Sequence, residues 1–171
     1  VSSFHGLHSQ RNDGLKPVFF FPGFTPNTGG LLREADLLIK RRHWKSHADG
    51  AHWLASLDVK PVGKPKLISV FTYPHAPLHC LVDQLQQTGQ RYHLLVPSTQ
   101  PVPSQPARDQ VTWQSIPFLS QTDYDKLLWS CDVNLVRGED SFVRAIWAGQ
   151  PLLWQIYPQK DGAHHTKLKA W

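Results

Sequence analysis

Residues 133–148, VNLVRGEDSFVRAIWA, decide the fold. Residues 133–136, three of which are apolar, predict a short buried strand, and residues 141–148 predict a helix that Gly149 and Pro151 end. Residues 137–140, RGED, form the turn between them. A strand that passes through a tight turn into a helix is half of a β-α-β unit, from which parallel sheets are built.

The same alternation extends outward in both directions from this stretch. The expected strands and helices are, in chain order, strand 67–71, helix 76–87, strand 92–96, strand 111–116, helix 122–129, strand 152–156 and helix 163–171. A loop rich in Pro and Ser is expected at 97–109, and Thr122 is expected as a helix N-cap with Asp123 and Asp125 in the first turn. The pattern predicts an α/β fold with a parallel sheet, a Rossmann-like half with helices on both faces.

Residues 1–63 follow a different pattern. Residues 18–21, VFFF, predict a short buried strand that leads into the turn-forming stretch at 22–30. Helices are expected at 31–41 and 44–57, the second with Trp53, Leu54 and Leu57 on one face. Residues 60–66, KPVGKPK, are typical of a linker. A chain of 171 residues with no methionine is also expected to be part of a longer protein.

Composition narrows the class of protein. The chain is 40% hydrophobic and 18% charged, which is typical of a globular protein, and its apolar runs are too short to predict a membrane span. The net charge is +5, but the basic cluster of Lys40, Arg41, Arg42 and Lys45 is small and has no nucleic-acid-binding motif beside it. We therefore expect neither a nucleic acid nor a membrane as partner. A basic surface attracts an acidic protein or a nucleotide diphosphate.

Cysteine and histidine usage gives further expectations. Cys80 and Cys131 lie far apart and are expected to be buried free thiols in a reducing compartment, the cytoplasm. His43 and His47 have helical spacing, and His164 and His165 are adjacent, but no H-E-x-x-H occurs. We expect no metal and no cofactor.

The turn at 137–141 is the strongest candidate site. The N–H groups at a helix start attract an anion, Ser141 can add a hydroxyl, and Arg137 can make two hydrogen bonds to a phosphate. Glu139 and Asp140 would repel a bare phosphate, but they suit a ligand with sugar hydroxyls. The alternative is plain helix capping by Asp140 or Ser141, with Arg137 as an ion-pair partner. The pattern leaves both interpretations open.

Other polar and aromatic residues follow the neighbouring strands. Phe118 comes just after the third strand and offers a ring for a nucleobase, and the backbone near Gln121 offers polar groups for its edge. Tyr73 follows the first strand and Tyr157 follows the fifth. Because the carboxyl ends of parallel strands meet at one edge, these residues are expected near Arg137. Each of the aromatic residues has packing as its alternative role.

Several longer segments together resemble a known family. They are FFPGFT at 20–25, TGGLLRE at 28–34, RGEDSFVRA at 137–145, WAG at 147–149 and YPQ at 157–159. In kind and order they resemble the bacterial EarP-type protein-arginine rhamnosyltransferases. The resemblance implies a GT-B glycosyltransferase that transfers rhamnose from dTDP-β-L-rhamnose to an arginine of elongation factor P. It also implies inversion of the anomeric centre without a metal.

The resemblance also implies roles for individual residues. Phe118 would stack on thymine, and Gln121 would contact it through the backbone. Glu139 and Asp140 would lie by the sugar and the reacting centre as the catalytic carboxylates. The residues that would surround the diphosphate are Tyr73, Arg137, Ser141 and Tyr157, and Gly138 would also belong to the donor-binding site.

The resemblance further implies a division of the chain. Residues 1–63 would be the end of the N-terminal, acceptor-side domain with the linker, and residues 64–171 would be the C-terminal donor-binding domain without its last part. The aspartate expected as general base in this family has no convincing match among residues 1–60, where Asp13 is a poor candidate. The chain is therefore expected to bind donor but not to transfer sugar alone.

Two other functions remain open from the sequence. One is a GT-B transferase with another nucleotide sugar or another acceptor. The other is a module without catalytic activity that binds an acidic protein.

Overall fold

The computed structural model describes residues 2–46, 49–97 and 110–171. Within these residues the strands are β1 (Lys66–Val70), β2 (Tyr92–Pro97), β3 (Val111–Ile116), β4 (Val133–Arg137) and β5 (Leu152–Gln155). The α-helices are α1 (Leu37–Ser46), α2 (Asp49–Ser56), α3 (Leu78–Gln87), α4 (Gln121–Ser130), α5 (Asp140–Ala148) and α6 (Ala163–Ala170). The five strands form one parallel sheet in the order β3-β2-β1-β4-β5.

The strand order creates a crevice at the carboxyl edge of the sheet. The chain moves outward from β1 through β2 to β3 and then returns to place β4 on the other side of β1. Ile68 pairs with Val133 in this parallel register, and the N–H of Phe71 donates to the carbonyl of Leu135 at 2.9 Å. The neighbouring strands β1 and β4 therefore flank a topological switch point, where open α/β sheets bind ligands. The predicted Rossmann-like α/β class is confirmed.

The core has one layer on each face of the sheet. Ile68, Val70 and Leu94 pack with α3 on one face. Successive side chains alternate, so Leu95 and Val136 lie on the opposite face with α4 and α5. Helices cover both faces, as an all-parallel sheet requires.

The chain divides into two compact units, one of Ala35–Tyr157 and one of Val1–Glu34 with Pro158–Trp171. In the first unit α1 and α2 pack on α4, with the ring centroids of Trp44 and Trp129 6.1 Å apart. The structure thus groups residues 35–63 with the sheet. The assignment of residues 1–63 to an acceptor-side domain and linker stays a prediction.

The second unit does not contain the strand expected at 18–21. Val18 makes one isolated antiparallel bridge with His8, and Val18 and Phe19 are exposed. Pro17 and Pro22 flank this run, and proline lacks the N–H that a ladder needs. High β-propensity therefore does not produce a strand here, because a strand needs a neighbour with which to pair.

Other boundaries also differ from the sequence predictions. Helix α1 begins at Leu37 rather than near residue 31, and α2 spans Asp49–Ser56. Helix α4 begins at Gln121 with Ser120 as N-cap, so the prediction of Thr122 as N-cap is wrong. Residues 47–48 and most of the loop expected at 97–109 lie outside the described residues.

Cys131 is buried, as predicted, whereas Cys80 is exposed, because α3 turns Val82 rather than Cys80 toward the core. Burial raises the pKa of the Cys131 thiol above its ordinary range, which leaves it protonated.

In the described part of the chain, no helix has the length and apolar character that crossing a membrane requires.

Candidate functional site

A cavity of about 550 Å³ opens at the carboxyl edge of the sheet, at the switch point between β1 and β4. Residues from the ends of β1, β3 and β4 and from the starts of α4 and α5 line it. The structure therefore brings most of the predicted site residues together. Those that line the cavity are Tyr73, Phe118, Gln121, Arg137, Gly138, Glu139, Asp140 and Ser141.

A hydrogen bond from β5 holds the turn between β4 and α5, and a residue of β5 also holds the loop after β1. Gly138 has a φ of +65°, a conformation that favours glycine, and a Cβ there would lie 3.2 Å from the hydroxyl of Tyr73. Trp154 Nε1 donates to the carbonyl of Gly138 at 2.7 Å, and the N–H of Tyr73 donates to Gln155 Oε1 at 2.7 Å. The tight turn therefore brings the backbone of Gly138 close to the side chain of Tyr73.

Helix α5 begins at this turn without a side-chain cap from its N-cap residue. Glu139 occupies the N-cap position but makes no capping hydrogen bond, and Asp140 is the first helical residue. The Ser141 hydroxyl donates to the carbonyl of Arg137. Capping by Asp140 or Ser141 is therefore wrong, and the first turn of α5 offers N–H groups at the cavity wall.

The Arg137 guanidinium lies on two aromatic rings. Its central carbon is 4.3 Å from the ring centroid of Phe71 and 5.0 Å from that of Tyr73, and Nη1 donates to the carbonyl of Thr72 at 3.2 Å. Cation–π contact and the hydrogen bond fix the orientation of the cation. The positive charge of Arg137 and the N–H groups at the start of α5 therefore lie at the wall of the same cavity.

The aromatic residues occupy different positions around the cavity. Phe118 is 72% exposed and lines the cavity, so its ring face is open to a planar ligand. Tyr157 is 57% exposed and does not form part of the cavity wall. Its ring packs edge-on against Tyr73 with the centroids 5.7 Å apart. Tyr157 therefore contacts Tyr73, which lines the cavity, but does not line the cavity itself.

Sequence reasoning missed Arg144 and Asp125. Arg144 lines the cavity from α5, and its Nη1 lies 2.7 Å from Asp125 Oδ2 on α4. The side chains are only 12% and 8% exposed, so this ion pair is largely withdrawn from water. The i,i+4 spacing of Gln121 and Asp125 places them on one face of α4, but nothing in that spacing predicts a partner on α5.

Tyr124 was also missed. It lines the cavity, and its ring lies edge-on to Phe71 with the centroids 5.7 Å apart. Its hydroxyl is buried and has no hydrogen-bond partner in the described part of the protein. Burial raises the pKa of the Tyr124 phenol well above its ordinary value, so this hydroxyl stays neutral.

Among residues 2–46, 49–97 and 110–171, no group of three or more His, Cys, Asp or Glu side chains could hold a metal ion. His47, one of the histidines with helical spacing, lies outside these residues.

Comparisons with known proteins all match rhamnosyltransferases. The family model for the elongation factor P rhamnosyltransferase EarP matches residues 1–171. Protein-arginine rhamnosyltransferases of Pseudomonas putida and Pseudomonas aeruginosa are 46% and 44% identical to this chain, over 100% of its length and 49% and 50% of theirs. That of Shewanella oneidensis is 38% identical, over 100% of this chain and 49% of its own.

A solved structure agrees with these relatives. It concerns the structural basis for EarP-mediated arginine glycosylation of translation elongation factor EF-P. It superimposes with a TM-score of 0.73 at 42% identity, over 88% of this chain and 54% of the other. The chain spans about half the length of the curated relatives that it matches. The match over its whole length shows that the chain belongs to the EarP family of elongation factor P rhamnosyltransferases.

Proposed function

We propose that this chain forms the donor-binding part of an inverting GT-B glycosyltransferase that transfers rhamnose from dTDP-β-L-rhamnose to an arginine of elongation factor P. One observation carries the proposal. A single cavity at the switch point joins an exposed ring, a fixed guanidinium, a helix start and two carboxylates. This set matches the parts of a nucleotide sugar, which are base, diphosphate and sugar. We place the activity in the cytoplasm, where translation occurs.

The nucleotide would lie along the wall from Phe118 to Arg137. The exposed face of Phe118 suits stacking on thymine. Arg137 and the N–H groups at the start of α5 suit the diphosphate, because both attract anions. As the glycosidic bond breaks, these donors would stabilise the charge on the leaving dTDP without a metal.

The carboxylates of Glu139 and Asp140 would serve the sugar and the acceptor. They follow the glycine turn and line the same cavity, so a rhamnose attached to the diphosphate would lie near them. Arginine is protonated at neutral pH and is a poor nucleophile in that state. A carboxylate must orient the guanidinium and accept its proton. We assign Glu139 and Asp140 to the sugar and to the positioning of the acceptor, together with a base from outside this chain.

Calorimetric titration of the 171-residue chain with dTDP tests the proposal. We expect saturable binding, and we expect Arg137→Ala to weaken it at least tenfold, since a charge-assisted hydrogen bond contributes about 1.5–3 kcal/mol. Arg42→Ala is the matched control, because Arg42 is an exposed residue of α1 outside the cavity. No binding, or equal affinity of the Arg137→Ala and parent chains, would contradict the assignment.

Transfer requires a longer protein. The matched segment of the Pseudomonas putida relative can be replaced by this chain, since the two are 46% identical over the whole of it. We expect the chimera to rhamnosylate elongation factor P with dTDP-rhamnose, and to remain active in the presence of a metal chelator. Turnover with a different nucleotide sugar in a donor panel would favour another transferase specificity. Protein binding without nucleotide binding would favour a module that has no catalytic activity.

A further inference from the structure

The indole of Trp154 holds the turn at the start of α5 from outside the cavity. Trp154 lies on β5, and its Nε1 donates to the carbonyl of Gly138 at 2.7 Å. Gly138 and Glu139 line the cavity, whereas Trp154 does not. The side chain of Trp154 therefore acts on the cavity wall through the backbone and not through contact with a ligand.

Packing fixes the indole in this position. Its ring lies on the ring of Phe142, with the centroids 3.8 Å apart and the ring planes 9° from parallel. Phe142 is 2% exposed and belongs to the buried cluster that α5 shares with β4. The N–H donor of Trp154 is thus held by the core, so it loses little conformational freedom when it makes the hydrogen bond.

The bonded peptide follows a glycine, so its orientation depends on a partner. Glycine has few steric limits, and the peptide between Gly138 and Glu139 can turn over by rotation about the bonds on either side of it. The peptide before Gly138 is held by the backbone of β5, because the N–H of Gly138 donates to the carbonyl of Gln155 at 3.2 Å. The peptide after Gly138 is held by the indole of Trp154.

The orientation of this peptide decides what the start of α5 presents. In a trans peptide the C=O and the N–H point in opposite directions. With the carbonyl of Gly138 on the indole, the N–H of Glu139 points away from Trp154. A peptide that turned over would present an oxygen in place of this N–H. A carbonyl oxygen repels a phosphate, whereas an N–H group attracts it.

We propose that Trp154 is a positioning residue for the donor, whose indole N–H holds the peptide between Gly138 and Glu139 in the orientation that accepts a diphosphate. The inference rests on the proposed function, because it needs a diphosphate beside Arg137 and the start of α5. The effect falls on the phosphates of the ligand and not on its base. The reason is that Phe118 follows β3, and β3 and β5 are opposite edges of the sheet.

The test compares dTDP with thymidine, which has no phosphate. Calorimetry measures dTDP, and NMR titration, which detects weak binding, measures thymidine, both with the 171-residue chain. Trp154→Phe keeps a ring on Phe142 but removes the N–H donor. We expect this variant to bind dTDP about fivefold more weakly, the effect of one neutral hydrogen bond. We expect its affinity for thymidine to change by less than about twofold, since no phosphate is present.

Trp44→Phe is the matched control. Trp44 also uses its indole N–H within the same unit, since Nε1 donates to Ser130 Oγ at 3.1 Å, but it does not line the cavity. We expect this variant to leave dTDP affinity unchanged. Urea denaturation of both variants measures the accompanying loss of stability. If thymidine binds neither chain measurably, the comparison of the two variants with dTDP decides.

A second measurement needs no variant. If the bonded peptide favours dTDP, then dTDP must stabilise the hydrogen bond of Trp154 to Gly138 in return. Hydrogen exchange of the Trp154 indole N–H, followed by NMR, should slow about tenfold or more at saturating dTDP. Exchange of the Trp44 indole N–H should slow less, because its hydrogen bond lies outside the cavity. This measurement decides if Trp154→Phe fails to fold.

The outcomes separate this inference from the proposed function. Absence of dTDP binding by the parent chain overturns both. If the parent chain binds dTDP and Trp154→Phe binds it equally well, this inference alone is overturned. Equal fractional losses of dTDP and thymidine affinity, equal losses in Trp154→Phe and Trp44→Phe, or equal slowing of exchange at the two indoles also overturn it.

Discussion

Gly138 is the residue on which the geometry of the turn depends. Its φ of +65° is a backbone conformation that residues with a Cβ rarely adopt, and its neighbour across the turn is the hydroxyl of Tyr73. Any side chain there must strain the backbone and displace an aromatic residue of the cavity wall.

Gly138→Ala should therefore reduce both stability and dTDP affinity. We expect a loss of about 1 kcal/mol in the free energy of unfolding from the backbone strain, measured by urea denaturation. We also expect weaker dTDP binding by calorimetry, because the added Cβ would lie 3.2 Å from Tyr73 Oη. Gly89→Ala is the matched control, since Gly89 has a φ of +71° but no atom within 4 Å of the added Cβ. Equal dTDP affinity of the two variants would contradict the role of Gly138 in the site.

Asp140 carries the prediction about transfer. In the chimera with the Pseudomonas putida relative, Asp140→Ala should abolish rhamnosylation of elongation factor P while dTDP still binds. The reason is that the carboxylate is assigned to the sugar and acceptor rather than to the nucleotide. Mass spectrometry of the acceptor measures the transfer. Asp36→Ala is the control, because Asp36 is exposed and pairs with Lys40 away from the cavity. Near-normal turnover of Asp140→Ala would rule out the role.

At the scale of elements, the start of α4 supports one wall of the cavity. The hydroxyl of Ser120 accepts from the N–H of Asp123 at 3.2 Å and donates to its carboxylate at 2.8 Å. Lys126 Nζ lies 2.8 Å from the other carboxylate oxygen. The cap and the ion pair together order the turn that carries Gln121.

The Asp123 carboxylate predicts how stability depends on pH. The hydrogen bond from Lys126, and to a smaller extent the one from Ser120, lowers the pKa of the Asp123 carboxyl from the ordinary 3.8. The folded state therefore holds the proton more weakly than the unfolded state does. Its stabilisation is therefore complete above pH 3.8 and is lost as the pH falls through the lowered value. In urea denaturation, the stability difference between the parent chain and Asp123→Asn should shrink below pH 4. Lys126→Met should reduce this difference at pH 6. A difference independent of pH would contradict the account.

At the scale of the whole molecule, the fold places the candidate ligand site and the hydrophobic core of the sheet in one unit. The residues that line the cavity fall within Ala35–Tyr157, as do the clusters that cover both faces of the sheet. A ligand in the cavity should therefore stabilise this unit directly.

We predict that dTDP stabilises the chain but that the chain alone transfers no sugar. At a concentration of 100 times its dissociation constant, dTDP should add about 2.7 kcal/mol to the free energy of unfolding, which a thermal melt detects as a higher midpoint. ADP at the same concentration is the control for general anion binding. With dTDP-rhamnose and elongation factor P, we expect no rhamnosylated product from the chain alone. A product would show that a base within this chain suffices.

Much of the sheet could be predicted because its signals are local. The strand expected at 111–116 is observed as Val111–Ile116, and the strands expected at 67–71, 92–96 and 152–156 end within one residue of β1, β2 and β5. Arg137, Gly138 and Ser141 could be placed together because they share one turn. Tyr73 and Phe118 could be brought to them because parallel strands end at a common edge.

The sequence alone determined the alternation of strands and helices, the edge of the sheet that carries the candidate site and, through its motifs, the family. Only the tertiary structure decided that VFFF at 18–21 is not a strand, that Ser120 caps α4, and that Arg144 pairs with Asp125. The physical reason is the range of the interactions. Periodicity and turn chemistry act over a few neighbouring residues, whereas strand pairing and buried ion pairs depend on partners that are distant in the chain and meet only on folding.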